Sequence, residues 1–455
     1  STSLSQPTPR RSKTVGGEVV HVMSVREATM DEAVSRIAGT DSLAVPLGPG
    51  APVGFLHALG ERDDFARLEV FGALLPDLFQ LFMRKGVHYR SGFYGPAERF
   101  LRDSGASIDF VPADFRRFEP VVRHFEPRVM ATAGSPPVDG WVSLSLHAGA
   151  TVDELHLAGA DPNRLLIVEV SDQYPRTFGV EPDHMHRLHV DEIDILVRSD
   201  RSPLNLTDAT PTDSEVAIAQ NALRFIHDGC TIQTGIGGIP SQIASLLAES
   251  DVTDLGVHSE MFTTGLMRLH KAGKVTNRKG SEFDGFSPTT FAAGIPELYE
   301  WLHENPDVRF LPVKLVNSPE RIARNRDMVT INGALALDLS GQVVADSIDG
   351  LQFSGIGGHE DFVSGPGLSA DGRSLICLPS TTIVNGALTS RIVPELPKGT
   401  VISTPRHQVD VVVTEFGVAE LHGRTIRERS RALAAIGHPD FRDELLAVAE
   451  MWPND

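Results

Sequence analysis

The stretch Thr231-Ile232-Gln233-Thr234-Gly235-Ile236-Gly237-Gly238-Ile239-Pro240 decides the fold. Thr231 to Thr234 predicts a strand, the glycines a tight turn, and Ser241 to Glu249 a helix. Strand, glycine turn and helix in that order present backbone amides at a helix N-terminus, where anions bind. Leu255 to Ser259 predicts a short strand with Glu260 at its C-terminal end. Open α/β sheets bind ligands outside the carboxyl ends of their strands, so Glu260 stands where chemistry belongs.

The same alternation runs through the chain and predicts an α/β fold. In the first half, Ser42 to Leu47, Arg67 to Ala73, Arg128 to Ala133 and Leu165 to Val170 read as strands. Thr29 to Ala38 and Pro96 to Asp103 read as helices, with Thr29 and Glu32 in a capping pattern. Later strands are expected at Val308 to Val316, Met328 to Asn332, Ala334 to Leu339, Gln342 to Ser347, Leu375 to Leu378 and Val409 to Thr414. Leu339-Ser340-Gly341-Gln342 reads as a hairpin turn. Ser214 to His227, Thr425 to Ile436 and Phe441 to Met451 read as helices. A chain of 455 residues suits two domains. The polar segment Arg201 to Asp213, with two prolines, is the expected linker. That sets domains at 15–205 and 206–455, after a disordered tail at 1–14.

Composition narrows the function. No run of about 18 apolar residues appears, so no membrane-spanning helix is expected. Ser1 to Thr14 lacks an apolar signal core. A net charge of −19 argues against nucleic acid and anionic membranes as partners. Cys230 and Cys377 sit in apolar runs and read as reduced, buried thiols of a cytoplasmic protein. His184, His186 and His189 come closest to a metal cluster but lack a standard ligand spacing, so no metal is expected.

Each motif taken alone stays open. The first glycine loop fits an anion cradle or a bare turn. It lacks the lysine of a phosphate-binding loop and departs from the dinucleotide fingerprint. Glu260 is flanked by the apolar Val257, Met261 and Phe262, which predicts a carboxyl near buried surface that needs a partner or a function. The second loop, Ser354-Gly355-Ile356-Gly357-Gly358-His359-Glu360-Asp361-Phe362, fits close backbone approach to a ligand or a β-bulge anchored by Phe362.

Taken in order, the segments Gln233–Pro240, Gly256–Phe262, Ile331–Ser347, Ser354–Phe362, Ser390–Pro394 and Val411–Leu421 resemble the acetyl-CoA hydrolase/transferase family. Glu169–Gly179 and His438–Arg442 extend the resemblance, which is greatest to 4-hydroxybutyrate CoA-transferases and other class I CoA-transferases. It implies a homo-oligomer, a dimer or larger, of two similar open α/β domains with the active site between them. It implies Glu260 as nucleophile and Gln233 against the acyl carbonyl. Gly235, Ile236, Gly237, Gly238 and Ile239 would line the CoA pocket; Gly355, Gly357 and Gly358 would hold CoA and the oxyanion; Leu335 would touch the thiol end. Coenzyme A would be a substrate, exchanged between an acyl-CoA and a small carboxylate, with no permanently bound cofactor. The resemblance further implies an ionised Glu260 that forms an acyl anhydride and then a glutamyl-CoA thioester. Hydrolysis of acetyl-CoA on the same scaffold is the alternative; a non-catalytic CoA-binding subunit and a sugar-phosphate isomerase are more remote. The chain departs from the family pattern at Thr263-Thr264, His359, Ser364-Gly365-Pro366, Ser171 and the Gly48–Pro52 stretch, which lacks an expected His. These departures leave the nucleophile in place and bear on the acyl substrate.

Overall fold

The computed structural model describes residues 27–369 and 371–451; the expected tail at 1–14 lies outside the described residues. Two open sheets organise them. The first has eight parallel strands, in the spatial order Glu27–Ala28, Ile195–Arg198, Leu165–Val170, Val129–Gly134, Thr40–Ala44, Arg67–Gly72, Val87–Ser91 and Ile108–Phe110. The second has six strands, in the order Gly256–Val257, Thr231–Gln233, Met328–Gly333, Arg373–Cys377, Val411–Thr414 and Gly417–Glu420; only the last pairing is antiparallel. Strand order reverses between Thr40–Ala44 and Val129–Gly134 in one sheet, and between Thr231–Gln233 and Met328–Gly333 in the other. Such switch points open crevices at the carboxyl ends of the strands.

Central strands are apolar on both faces because helices cover both faces of a parallel sheet. Leu165–Val170 is buried throughout, including Glu169. The Glu169 carboxylate accepts from Gly54 N–H at 3.1 Å and Phe55 N–H at 2.9 Å. It thereby caps the helix Val53–Gly60, which has no capping side chain of its own. One apolar cluster joins the sheets, from Phe71 and Val168 through Phe291 to Ile232 and Val329.

The sequence expectations hold for the order of elements and shift at their ends. Pro96–Asp103 and Leu165–Val170 match residue for residue. Val308–Val316 does not stay extended: it divides into a strand Val308–Phe310 and a helical turn Val313–Val316, with Pro312 between them. Pro312 fits the turn because a helix entry leaves its first N–H groups without partners. The helix after the first glycine turn starts at Gly238, ahead of Ser241. The second glycine loop is not a β-bulge; it leads into the helix His359–Ser364. The hairpin at Leu339–Gln342 is present, with Asp338 Oδ1 accepting three successive backbone N–H groups at 2.9, 3.0 and 3.1 Å.

The two halves meet at Gly92 and Phe93, which follow the strand Val87–Ser91, while Phe118 packs on Gly92 from within the first half. A Cβ at Gly92 would lie 2.1 Å from Phe118 Cε1, and one at Gly355 would lie 2.9 Å from the Gly92 carbonyl oxygen. Gly92→Val is therefore expected to cost about 1–3 kcal/mol through overpacking. Gly367→Ala, where a Cβ meets nothing within 4 Å, is expected to melt like the parent. Thermal denaturation of the two variants side by side checks this.

Candidate active site

Glu260 lies between the short strands Gly256–Val257 and Met261–Phe262, on a peptide held from several sides. Its carbonyl oxygen accepts the Thr290 N–H at 2.9 Å, the Phe291 N–H at 3.3 Å and the hydroxyls of Thr289 and Thr290 at 2.9 Å each. Ser259 donates to the Thr234 carbonyl at 3.0 Å, which ties this segment to the first glycine loop. His258 is buried and occupied at both nitrogens, by the Val316 carbonyl at 2.7 Å and the Asn325 amide at 2.8 Å. His258 and Ser259 are thus structural, and Glu260 is the group they position.

The Glu260 side chain points into a chain of polar contacts. Asn317 Nδ2 donates to Glu260 Oε2 at 2.6 Å and to Asp361 Oδ2 at 2.8 Å. Asp361 is fully buried and pairs with Arg116 across the two halves, Nη1 to Oδ1 at 2.6 Å. Desolvation pushes the Glu260 carboxyl up to about 8; the Asn317 hydrogen bond opposes this and the Asp361 charge adds to it. Desolvation likewise pushes Asp361 up to about 7, against Asn317 and Arg116. The expectation of a carboxylate fully ionised at neutral pH is corrected here. The flanking apolar residues predicted the burial; the second carboxyl beside it, Asp361, is 101 residues away in sequence and was not paired with it.

Gly358 explains the second loop. A Cβ there would lie 2.0 Å from Glu260 Oε2 and 2.8 Å from Asn317 Nδ2. No other residue type leaves room for the carboxylate to lie against this backbone. Gly357 has φ +52°, and its carbonyl accepts the Phe115 N–H at 2.8 Å. The loop is therefore clamped between Glu260 on one side and the first half of the chain on the other.

A cavity of about 780 Å³ opens above Glu260 at the carboxyl ends of both sheets. Gln233, Gly235, Ile236, Gly355, Gly357 and Gly358 line it. A Cβ at Gly235 would meet nothing within 4 Å, so its backbone is open to a ligand. Gln233 Oε1 accepts the Ile331 N–H at 3.2 Å, which fixes the side-chain amide within the site. Gly237, Gly238 and Ile239 do not line the cavity. Gly237, at φ +121°, turns the chain into the helix, and Gly238 makes room for the Glu215 carboxylate, 2.5 Å from where a Cβ would lie. Leu335 does not line it either: its N–H donates to the Val344 carbonyl at 2.7 Å, and the nearby lining residues are Asn332, Gly333 and Ala345. Asn332 Nδ2 is buried with no partner and Asn332 lines the cavity, so it joins Gln233 as a candidate donor. Asn332 stands within the Ile331–Ser347 segment that resembles the family; Asn317 and Arg116 carry no comparable sequence signal. Among the described residues no group of three or more His, Cys, Asp or Glu is placed to hold a metal ion. His186 is instead buried, with Nε2 on the Ser145 carbonyl at 2.9 Å.

A sequence profile of the acetyl-CoA hydrolase/transferase C-terminal domain matches residues 294–449. The chain is 35% identical over 92% of its length to a succinyl-CoA:cyclohexane-1-carboxylate CoA transferase of Geobacter metallireducens, covering 93% of that protein. It is 35% identical, again over 92% of its length, to a 4-hydroxybutyrate coenzyme A transferase of Clostridium kluyveri, covering 96% of that protein. The chain belongs to the acetyl-CoA hydrolase/transferase family. Its fold superimposes on RipA from Yersinia pestis with a TM-score of 0.84 and 30% identity, covering 93% of this chain and 97% of that one. Of the departures from the pattern expected of this family, His359 and the Gly48–Pro49 stretch reach the cavity and the others do not. His359, in place of a glutamine, lines the cavity and hydrogen-bonds Thr404 Oγ1 at 2.9 Å through Nε2. Gly48 and Pro49 line the same cavity. Thr263 caps the helix Thr264–Lys271, and Ser171 donates to the Arg201 carbonyl at 2.7 Å; both serve the scaffold.

Two measurements follow from this geometry. Gly358→Ala is expected to displace the Glu260 carboxyl and lower turnover by about a hundredfold or more, since about 1 Å of misplacement has that effect. Glu260→Gln is expected to stabilise the fold progressively as pH rises. Between the ordinary carboxyl range and about 8 the unfolded chain releases a proton that native Glu260 retains, so the wild type loses stability across that window. The gap in melting temperature between variant and parent should be small near pH 5, widen towards pH 8 and then level off.

Proposed function

We propose that the protein is a CoA-transferase that works through a glutamyl-CoA thioester on Glu260. The observation that carries this reading is the Glu260 carboxyl lying against Gly358 at the floor of a cavity edged by both glycine loops. The ionised carboxylate attacks the thioester carbonyl of an acyl-CoA, forms a mixed anhydride and releases CoA thiolate. The thiolate attacks the glutamyl carbonyl, giving the enzyme thioester and freeing the first carboxylate. The incoming carboxylate attacks that thioester to form a second anhydride and expel the thiolate. Thiolate attack on the new acyl carbonyl then yields the new acyl-CoA and restores Glu260. Backbone N–H groups of the second loop and the amides of Gln233 and Asn332 are the candidate donors to each oxyanion; one such donor contributes about 3 kcal/mol. The desolvation that raises the Glu260 pKa also favours the attack, because the carboxylate, once ionised, is a stronger nucleophile than a hydrated one.

Incubation with an acyl-CoA should leave a CoA-sized adduct on the peptide containing Glu260, reducible by borohydride and absent in Glu260→Ala. Initial rates varied in both substrates should give parallel double-reciprocal lines. Full activity in Glu260→Ala would overturn the assignment, and release of CoA as fast without acceptor as with it would favour hydrolysis. For the free enzyme kcat/KM should rise with pH towards a limb near 8, because the ionised form of Glu260 is the nucleophile.

A further inference from the structure

The cavity has a wet end and a dry end. Ile236, Phe100 and Leu78 at its mouth are 50%, 55% and 47% exposed. The other end runs from Glu260 towards the first sheet and is walled by buried rings. Phe291, whose N–H meets the Glu260 carbonyl oxygen, has its ring centroid 6.4 Å from that of Phe115. Phe115 lies 6.1 Å from Phe118, and Phe118 lies 6.2 Å from Phe71. Val122 and Ala150 complete this buried lining. A coenzyme A body needs the mouth, so the acyl group occupies the dry end.

Charge is absent from that end. Among the described residues no lysine or arginine lines the cavity. Besides Glu260, Asp77 is the one acidic lining residue among the described residues, and it is occupied by His57 at 2.9 Å. The two lining histidines supply no cation at neutral pH: desolvation holds His147 down to about 3, with His186 adding to the effect, and holds His359 down to about 4. His147 stacks on Phe291, with ring centroids 6.2 Å apart at an interplanar angle of 28°, and its buried ring nitrogens have no hydrogen-bond partner among the described residues. A second carboxylate on the acyl group would enter this chamber without a counter-charge, which is strongly unfavourable. An apolar chain or ring would instead exchange water for four aromatic faces.

We infer that the acyl groups handled here are those of apolar monocarboxylic acids of medium size, with a branched, ring-bearing or hexanoyl-length body, and that dicarboxylic acids are poor substrates. The inference rests on the CoA-transferase reading and adds the substrate class. Phe118 and Val122, which face the chamber from the helix Phe118–Phe125, are the residues that set its depth.

The test uses the full-length protein with acetyl-CoA as donor and a panel of acceptors: labelled acetate, propionate, butyrate, hexanoate, cyclohexanecarboxylate and succinate. kcat/KM should rise about threefold or more for each methylene from propionate to hexanoate. Cyclohexanecarboxylate should rank with hexanoate, and succinate should fall at least about a hundredfold below butyrate. Val122→Phe should lower the hexanoate-to-propionate ratio about tenfold or more; being a ratio, it is read independently of how much of the variant folds. A flat or falling profile beyond propionate, or succinate equal to butyrate, would overturn the inference while leaving CoA transfer standing. Absence of transfer to every acid, labelled acetate included, with no adduct on Glu260, would overturn the parent reading and this one together.

Discussion

One asparagine amide holds two carboxyl groups together inside this protein. Asn317 donates to Glu260 and to Asp361, and Arg116 meets Asp361 from the other half of the chain. Buried acids at this spacing repel if both ionise and lose solvation if either does. The arrangement is held by what surrounds each group: two backbone N–H groups and two threonine hydroxyls on the Glu260 carbonyl, a glycine beneath its carboxyl, and the helix His359–Ser364 carrying Asp361.

The sheets exist to bring that arrangement to a cavity. Gln233 ends one strand of the second sheet, Asn332 lies near the end of its neighbour, and the two flank the switch point. Val45 and Leu47 follow Thr40–Ala44 at the switch point of the first sheet and line the same cavity. Two crevices that would each be shallow thus face each other and make one deep chamber. The apolar cluster that joins the sheets keeps them in register, so the chamber wall and the protein core share residues such as Phe71, Phe115 and Phe291.

Much of this was legible in the sequence, for local reasons. Strand, glycine turn and helix are written in consecutive residues, so the α/β order, Glu260 and both glycine loops could be read directly. What escaped was long-range. Nothing in Asn317-Ser318-Pro319 announces that its amide bridges two acids, because that depends on where the segment Val313–Val316 is delivered. Arg116 meets Asp361 across 245 positions. The termini of elements slipped because periodicity does not record where a helix begins to satisfy its backbone, as at Gly238 and Pro312. Leu335 was assigned to the site from its motif, yet the same motif offers Asn332 and Gly333 to the cavity and turns Leu335 onto Val344.

The segment between the sheets has the composition of a tether, polar and proline-containing, and it connects the strand Ile195–Arg198 to the helix Asp213–Ala222 without regular structure. Yet Leu204 and Leu206 line the cavity, the Leu206 N–H donates to the Gly294 carbonyl at 2.8 Å, and Tyr299 hydrogen-bonds the Leu204 carbonyl. A joint of this kind cannot drift in length or sequence as a spacer does. Recombination between family members that exchanged one half for another would also exchange, or cut through, a piece of the substrate chamber, so the halves of this protein are expected to have been inherited together with the thread that joins them.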